Sequence, residues 1–389
     1  MSKKILIIIA LVLALVLSAC APKPAPEPVA EEVVEVVEQV EEEVEEVVEV
    51  VEVVEEKVVE EPVEEAEEPE EEESLTFWQE MRADQFAQLV HFEAPTENYK
   101  IGVVLNTLVN PYWVAFADGY KQAAKDLNVT VELQVPQTEG DIAGQLAVCE
   151  SMVTAGYDAI VLHPITGTNL IECIIKANQE GVVMIDTDGR IDKAMVDELG
   201  GEYFRVPIEY FFDQGFLGAS AIVDKLGSEG GKVAIIEGIA GAPNSEGRTA
   251  GAKAAFEAGE NIELVASHNA DFDRSKALSI AQDILTAHPD LAGVYCANDV
   301  MCLAVAEAVD EAGLRGQVLI VGNDFIADAL TAIREGRMYG SVAFSPFVRG
   351  EVSLRLAIMA IQGNELPPEM EFLTIVVTPD IADLMDDWK

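Results

Sequence analysis

The chain has 389 residues and a formal charge of -47 at neutral pH, from 71 acidic against 24 basic side chains. Such a length exceeds one hydrophobic core and predicts two packed units plus accessory segments. So acidic a composition excludes nucleic acid as a partner, since that binding requires Lys and Arg to neutralise phosphates.

Lys3 and Lys4 precede an apolar run from Ile5 to Leu17, which ends in Leu17-Ser18-Ala19-Cys20. This is the build of an export signal, residues 1–20. At 1.5 Å per residue the run makes roughly 20 Å of helix, short of a hydrocarbon core of about 30 Å. The last four residues resemble a bacterial lipobox, which implies acylation of Cys20 and a lipid anchor in the membrane.

Residues 21–73 follow as a Pro-rich and then Glu/Val-rich stalk in which Glu27 to Glu73 hold 24 of the acidic residues. It is too poor in large apolar side chains for a core. Val33, Val37, Val40, Val44, Val47, Val51, Val54 and Val58 alternate steps of four and three, a heptad seam. Flanking glutamates would repel between parallel copies, so an extended or partly helical tether is expected. Residues 74–98, with Phe77, Trp78, Met81 and Phe86, form a preamble able to pack as a helix on the folded body.

From Lys100 short apolar runs alternate with amphipathic stretches. Candidate strands are 101–105, 131–135, 159–162, 182–186, 232–237, 262–267, 293–297 and 318–322, each followed by a helical pattern. The alternation predicts an α/β fold of two doubly wound parallel-sheet lobes, with a hinge near Tyr203 to Ile208. Cys149, Cys173, Cys296 and Cys302 form no CxxC pair and lie near no histidine cluster, so no metal site is expected. Their spacing demands no disulfide, and buried free thiols are expected.

Ligands of open parallel sheets lie beyond the carboxyl ends of the strands. Here those ends carry Asn106, Asn110, His163, Asp186, Asp188, Asn298-Asp299 and Asn323-Asp324. Such groups bind hydroxyls, and Tyr112, Trp113 and Phe272 offer faces for the C–H surface of a sugar ring. The alternative for each Asn or Asp is to cap the next helix, and for each aromatic to be core.

Several stretches occur together and in order: Asn110-Pro111-Tyr112-Trp113 with Asp118-Gly119, Gly238-Ile239-Ala240-Gly241, Ala270-Asp271-Phe272-Asp273-Arg274, Thr286-Ala287-His288-Pro289-Asp290, Ala297-Asn298-Asp299 and Val321-Gly322-Asn323-Asp324. From Tyr99 to Pro379 the chain resembles the type I periplasmic binding proteins, in particular their ribose and galactose branch. The resemblance implies two lobes joined by three chain crossings, 99–208 with 345–373 and 209–344 with 374–389, closing on a monosaccharide. It implies Tyr112, Trp113 and Phe272 as stacking residues and Asn110, Asp186, Arg248, Asn298 and Asp324 as hydroxyl ligands, with Asn244 in the same set. Where ribose binders carry Asn, Arg and Gln, this chain has His163, Thr187 and Phe344, and Asn106 replaces a small hydroxyl residue. These departures imply a neutral sugar or polyol other than ribose.

The implied partner is an ABC permease, the folded body is expected to be monomeric, and no cofactor is expected. A sensory receptor with the same pocket is the alternative. HExxH, GxSxG and GxxxxGK[ST] are absent from the sequence, which argues against an enzyme. An export signal and an acidic tract do not suit a DNA-binding regulator.

Overall fold

The computed structural model describes residues 75–207 and 210–388. The export signal, Cys20 and the acidic stalk lie outside the described residues, as do Ile208, at the end of the expected hinge, and Glu209 after it.

The described chain begins with α1 (Phe77–Ala87), then enters the first lobe: β1 (Lys100–Val104), α2 (Pro111–Leu127), β2 (Thr130–Gln134), α3 (Ile142–Val153), β3 (Ala159–Leu162), α4 (Ile171–Glu180), β4 (Val183–Asp186), α5 (Lys193–Glu198) and β5 (Phe204–Arg205). These strands form one parallel sheet in the order β2-β1-β3-β4-β5. The second lobe holds α6 (Phe211–Leu226), β6 (Gly231–Glu237), α7 (Pro243–Ala258), β7 (Ile262–Asn269), α8 (Arg274–Ala287), β8 (Leu291–Cys296), α9 (Asp299–Glu311), β9 (Leu319–Asn323), α10 (Ala327–Arg334) and β10 (Gly340–Ala343). Next, α11 (Pro346–Gln362) packs on α2 of the first lobe, and β11 (Ile375–Val377) returns to the second sheet, whose order is β11-β10-β9-β8-β6-β7. The chain therefore passes between the lobes three times, after β5, after β10 and after α11.

Strands β1, β3, β8 and β10 are buried along nearly their whole length. Continuous apolar runs of this kind mark strands covered by helices on both faces. Each sheet reverses its strand order once, between β1 and β3 and between β6 and β8. At such a switch point the following loops diverge to opposite faces and leave a crevice at the carboxyl ends.

Three strands lie outside the eight expected from sequence: β5, β10 and β11 have two, four and three residues. β5 falls inside the interval read as hinge, where it pairs with β4 and delays the first crossing. β11 pairs antiparallel with β10, a departure from an all-parallel second sheet.

The expectation of free thiols is corrected. Cys149 on α3 and Cys173 on α4 form one disulfide, with Cα atoms 6.1 Å apart, and Cys296 and Cys302 form another at 5.5 Å. Neighbouring helices that cover one face of the first sheet bring the first pair together, which a separation of 24 residues conceals. Among the described residues no helix is long and apolar enough to cross a membrane.

Candidate ligand-binding site

The loops and helix starts after β1, β2 and β4 in the first lobe meet those after β6, β7, β8 and β9 in the second around a narrow cavity. It is lined by Asn110, Tyr112, Trp113, Glu139 and Arg190 from one side and by Asn244, Arg248, Phe272, Asn298 and Asp324 from the other. The walls approach so closely that the space at the centre suits about one water molecule. Anything larger requires the lobes to part.

Two of the lining residues combine capping with lining. Asn110 is the N-cap of α2, where its Oδ1 accepts from the Tyr112 N–H at 3.1 Å. Asn298 caps α9 through Oδ1 and the Met301 N–H at 3.0 Å. In each case the oxygen is committed to the helix, which leaves the amide NH₂ as the group with hydrogens to donate.

Trp113 and Tyr112 form the aromatic wall of the first lobe, edge to face with ring centres 5.0 Å apart. The Trp113 indole N–H donates to Glu139 Oε1 at 2.9 Å. Burial pushes the Glu139 carboxyl above the usual range, against hydrogen bonds from Trp113 and Asn110 and the fields of Arg190 and Arg248. Arg190 lies over both Trp113 and Phe211, 5.7 and 5.1 Å from their ring centres, and pairs through Nε with Asp188 at 3.1 Å.

Phe272 forms the facing wall. Asp271 and Phe272 both have positive φ, 53° and 58°, which is uncommon outside glycine and costs backbone strain of about 1–3 kcal/mol per residue. The turn aims the ring across the end of β6, onto Gly238. A Cβ there would lie 2.1 Å from Phe272 Cζ, so the ring's position requires glycine.

Arg248 organises the second lobe's polar groups. It is 3% exposed, donates through Nε to Gln214 Oε1 at 2.9 Å and through Nη1 to the Ala297 carbonyl at 2.8 Å, and pairs with Asp324 Oδ1 at 3.3 Å. The Asn323 amide, turned with its oxygen toward the guanidinium, lies 2.9 Å from Nη2. Gly215 of α6 makes this possible, since a Cβ there would stand 1.9 Å from the Arg248 carbonyl oxygen. Asp324 and Phe325 repeat the backbone strain, with φ of 107° and 53°.

Eight of the thirteen residues expected to bind ligand therefore share this cavity, and five are set back from it. Asn106 accepts from Gln145 Nε2 at 3.0 Å inside the first lobe. His163 is fully buried behind the aromatic wall, with Nε2 2.8 Å from the Tyr120 hydroxyl and Nδ1 3.0 Å from Asp188. Asp186 spends both oxygens on the N–H groups of Asp188, Gly189 and Ile191, at 2.9 to 3.0 Å. Thr187 accepts from the Ser353 hydroxyl at 3.0 Å, and Phe344 packs under the cavity between Tyr112 and Arg349. These five are not among the residues that line the cavity, where the expectation had them beside the ligand.

Sequence reasoning misses Glu139 and Arg190. Each lies a few residues beyond a strand end, in irregular loops, and only the residues nearest the strand ends carry a clear positional signal. Among the described residues no group of His, Cys, Asp or Glu side chains gathers as metal ligands would. What the arrangement offers is an aromatic face from each lobe, amide donors, and two carboxylates balanced by two guanidinium groups.

The chain matches the family model of the periplasmic binding protein domain over residues 101–365. It is 39% identical over 266 residues to the D-allose-binding periplasmic protein of Escherichia coli, covering 68% of this chain and 86% of the relative. With the ribose import binding protein of Bacillus subtilis it shares 28% identity over 277 residues, 69% and 84% of the two chains. A solved periplasmic solute binding protein of an ABC transporter from Actinobacillus succinogenes, with bound D-allose, superimposes with a TM-score of 0.70 at 30% identity, over 74% of this chain and 99% of that one.

Proposed function

The chain belongs to the periplasmic binding protein domain family, and on that premise we propose that it captures a neutral hexose of the allose type, or a related polyol, by closing its lobes. The observation that carries this reading is the pairing of Trp113 and Tyr112 from one lobe with Phe272 from the other, around a ring of Asn110, Asn244, Asn298, Arg248 and Asp324. Aromatic faces pack on the apolar side of a pyranose, and a hydroxyl both donates and accepts, so it suits amides, a carboxylate and a guanidinium in turn. Glu139 and Arg190 complete the set. With two groups of each sign, the cavity favours a ligand without net charge.

Closure follows from contacts on both lobes. A ligand that touches both stabilises the closed arrangement by its differential affinity for it, and by nothing else. The lobes on this reading are 99–208 with 345–373 and 209–344 with 374–389, turning about the three crossings. His163, Asp186, Thr187 and Phe344 then act from behind, by holding the aromatic wall and the loop of Arg190.

We place the receptor outside the cytoplasm, tethered through an acylated Cys20 and the acidic stalk, as a monomer that delivers its sugar to an ABC permease. A thermal-shift screen against neutral hexoses, pentoses, polyols, nucleosides and amino acids tests the ligand class. Stabilisation by D-allose or another hexose supports it, and stabilisation confined to an amino acid or nucleoside would overturn it.

A further inference from the structure

Helix α1 belongs to neither sheet and lies outside the family match at residues 101–365. It is nonetheless tied to three parts of the molecule. Toward the first lobe, Arg82 donates from Nε and Nη2 to the fully buried Glu351 carboxylate of α11, at 2.7 and 2.6 Å. Trp78 packs on Phe347 of the same helix, with ring centres 6.2 Å apart. At the third crossing, Gln88 donates to the Glu371 carbonyl at 2.8 Å and accepts from the Glu371 N–H at 2.9 Å. Toward the second lobe, Phe77 stacks on Trp388 at 6.3 Å, planes 19° apart, and the Thr76 hydroxyl donates to Asp387. Trp388 meets Phe325 edge-on at 6.0 Å, and Phe325 follows the cavity carboxylate Asp324 in sequence.

A segment that belongs to no sheet stays loose unless something holds it, because ordering it costs chain entropy. Here the holding groups belong to both lobes and to the hinge between them. We infer that residues 75–92 form a clasp across the hinge that favours the closed arrangement. The Arg82–Glu351 fork fixes α1 to α11, and a rotation of the second lobe carries Trp388 away from it. Opening therefore gives up the contacts of Phe77 and Thr76. By linkage, whatever closes the cleft also tightens the clasp, and to the same extent. The inference goes beyond the proposed ligand and does not depend on which sugar binds.

The test uses the full chain with Phe77→Ala and Asp387→Ala together, which removes the second-lobe side of the clasp and leaves Thr76 as the N-cap of α1. Phe77 is exposed and Asp387 half-buried, so the fold tolerates their truncation. In ligand-free protein, hydrogen exchange of the cleft segments 110–114 and 324–326 reports lobe opening. The double variant is expected to exchange about three- to tenfold faster there, the range an aromatic pair commands, with amides of 101–104 and 233–236 unchanged. In the native chain, saturating D-allose is expected to slow exchange in α1. Unchanged cleft exchange in the double variant overturns the clasp whatever the sugar. Faster cleft exchange without any response of α1 to D-allose supports the clasp and counts against D-allose as the ligand.

Discussion

Trp113 and Glu139 form a hydrogen-bonded pair, indole N–H to carboxylate oxygen at 2.9 Å, where the narrow cavity meets a wider groove at the rim of the cleft. The groove is lined on the far side by Asp271, Arg274 and Ile326. Glu139 therefore fixes the orientation of the aromatic wall and closes the cavity toward solvent. Glu139→Gln keeps an acceptor and is expected to change sugar affinity less than threefold, on the order of one neutral hydrogen bond. Glu139→Ala leaves the buried indole N–H without its partner and should weaken binding about tenfold or more. Calorimetric titration of both variants separates these outcomes, and equal affinity in the alanine variant would remove Glu139 from the site.

Gly238 gives a second point of attack. Adding one methyl group there places a carbon inside the Phe272 ring's present position. Gly238→Ala is expected to displace Phe272, to cost about 1–3 kcal/mol of stability as overpacking does, and to weaken sugar binding more than the loss of stability accounts for. Urea unfolding and titration on the same preparation check both. Native affinity in this variant would show that Phe272 does not form the wall against the ligand.

The sequence makes the α/β alternation and the polar strand ends plain, because parallel strands buried on both faces read as apolar runs and their loops converge at one end. It does not show which polar strand-end residue turns outward. Asp186 has the same local signature as Asp324, yet one is spent on the backbone of residues 188–191 and the other lines the cavity. That choice depends on the loop that comes next, and loops carry no periodicity. For Asn110 and Asn298 capping and lining coexist, so the two readings of each are not exclusive. The strands of two to four residues are hidden by their brevity, and the Cys149–Cys173 bond by the distance along the chain between its partners.

Stability is expected to depend on pH through Asp186. Burial, then the neighbouring Asp188, raises its carboxyl from 3.8 to about 6, against the pull of three backbone N–H groups. A carboxyl raised in the folded state stabilises most below its unfolded value, and that contribution is lost as pH rises through about 6. The full shift corresponds to about 3 kcal/mol, most of it falling between pH 4 and 7. Asp299, raised well above its ordinary value by burial and by Asp324, acts in the same direction. Urea unfolding at pH 4, 5, 6 and 7 should show part of this slope missing in Asp186→Asn, and an identical slope in the variant would contradict the assignment.

The disulfides differ in the lengths of chain they close. Cys149–Cys173 spans 24 residues and joins two helices of the first lobe, whereas Cys296–Cys302 spans six. Loop closure makes the longer bond worth about 3 kcal/mol and the shorter one less. Paired alanine replacements, compared by chemical unfolding, should therefore cost more at 149 and 173 than at 296 and 302. The reverse order would mean that the longer bond does not act through the unfolded chain.

The most direct measurement is an isothermal titration of the chain with D-allose, run beside D-ribose and an uncharged polyol, on native protein and on Asp324→Asn. A neutral hexose is expected to bind natively at micromolar concentration or tighter, with a change in Trp113 fluorescence, and at least tenfold more weakly in the variant, which loses a charged hydrogen-bond acceptor. Absence of heat from every neutral sugar and polyol, or native affinity in Asp324→Asn, would contradict the proposal that this cleft is a sugar site.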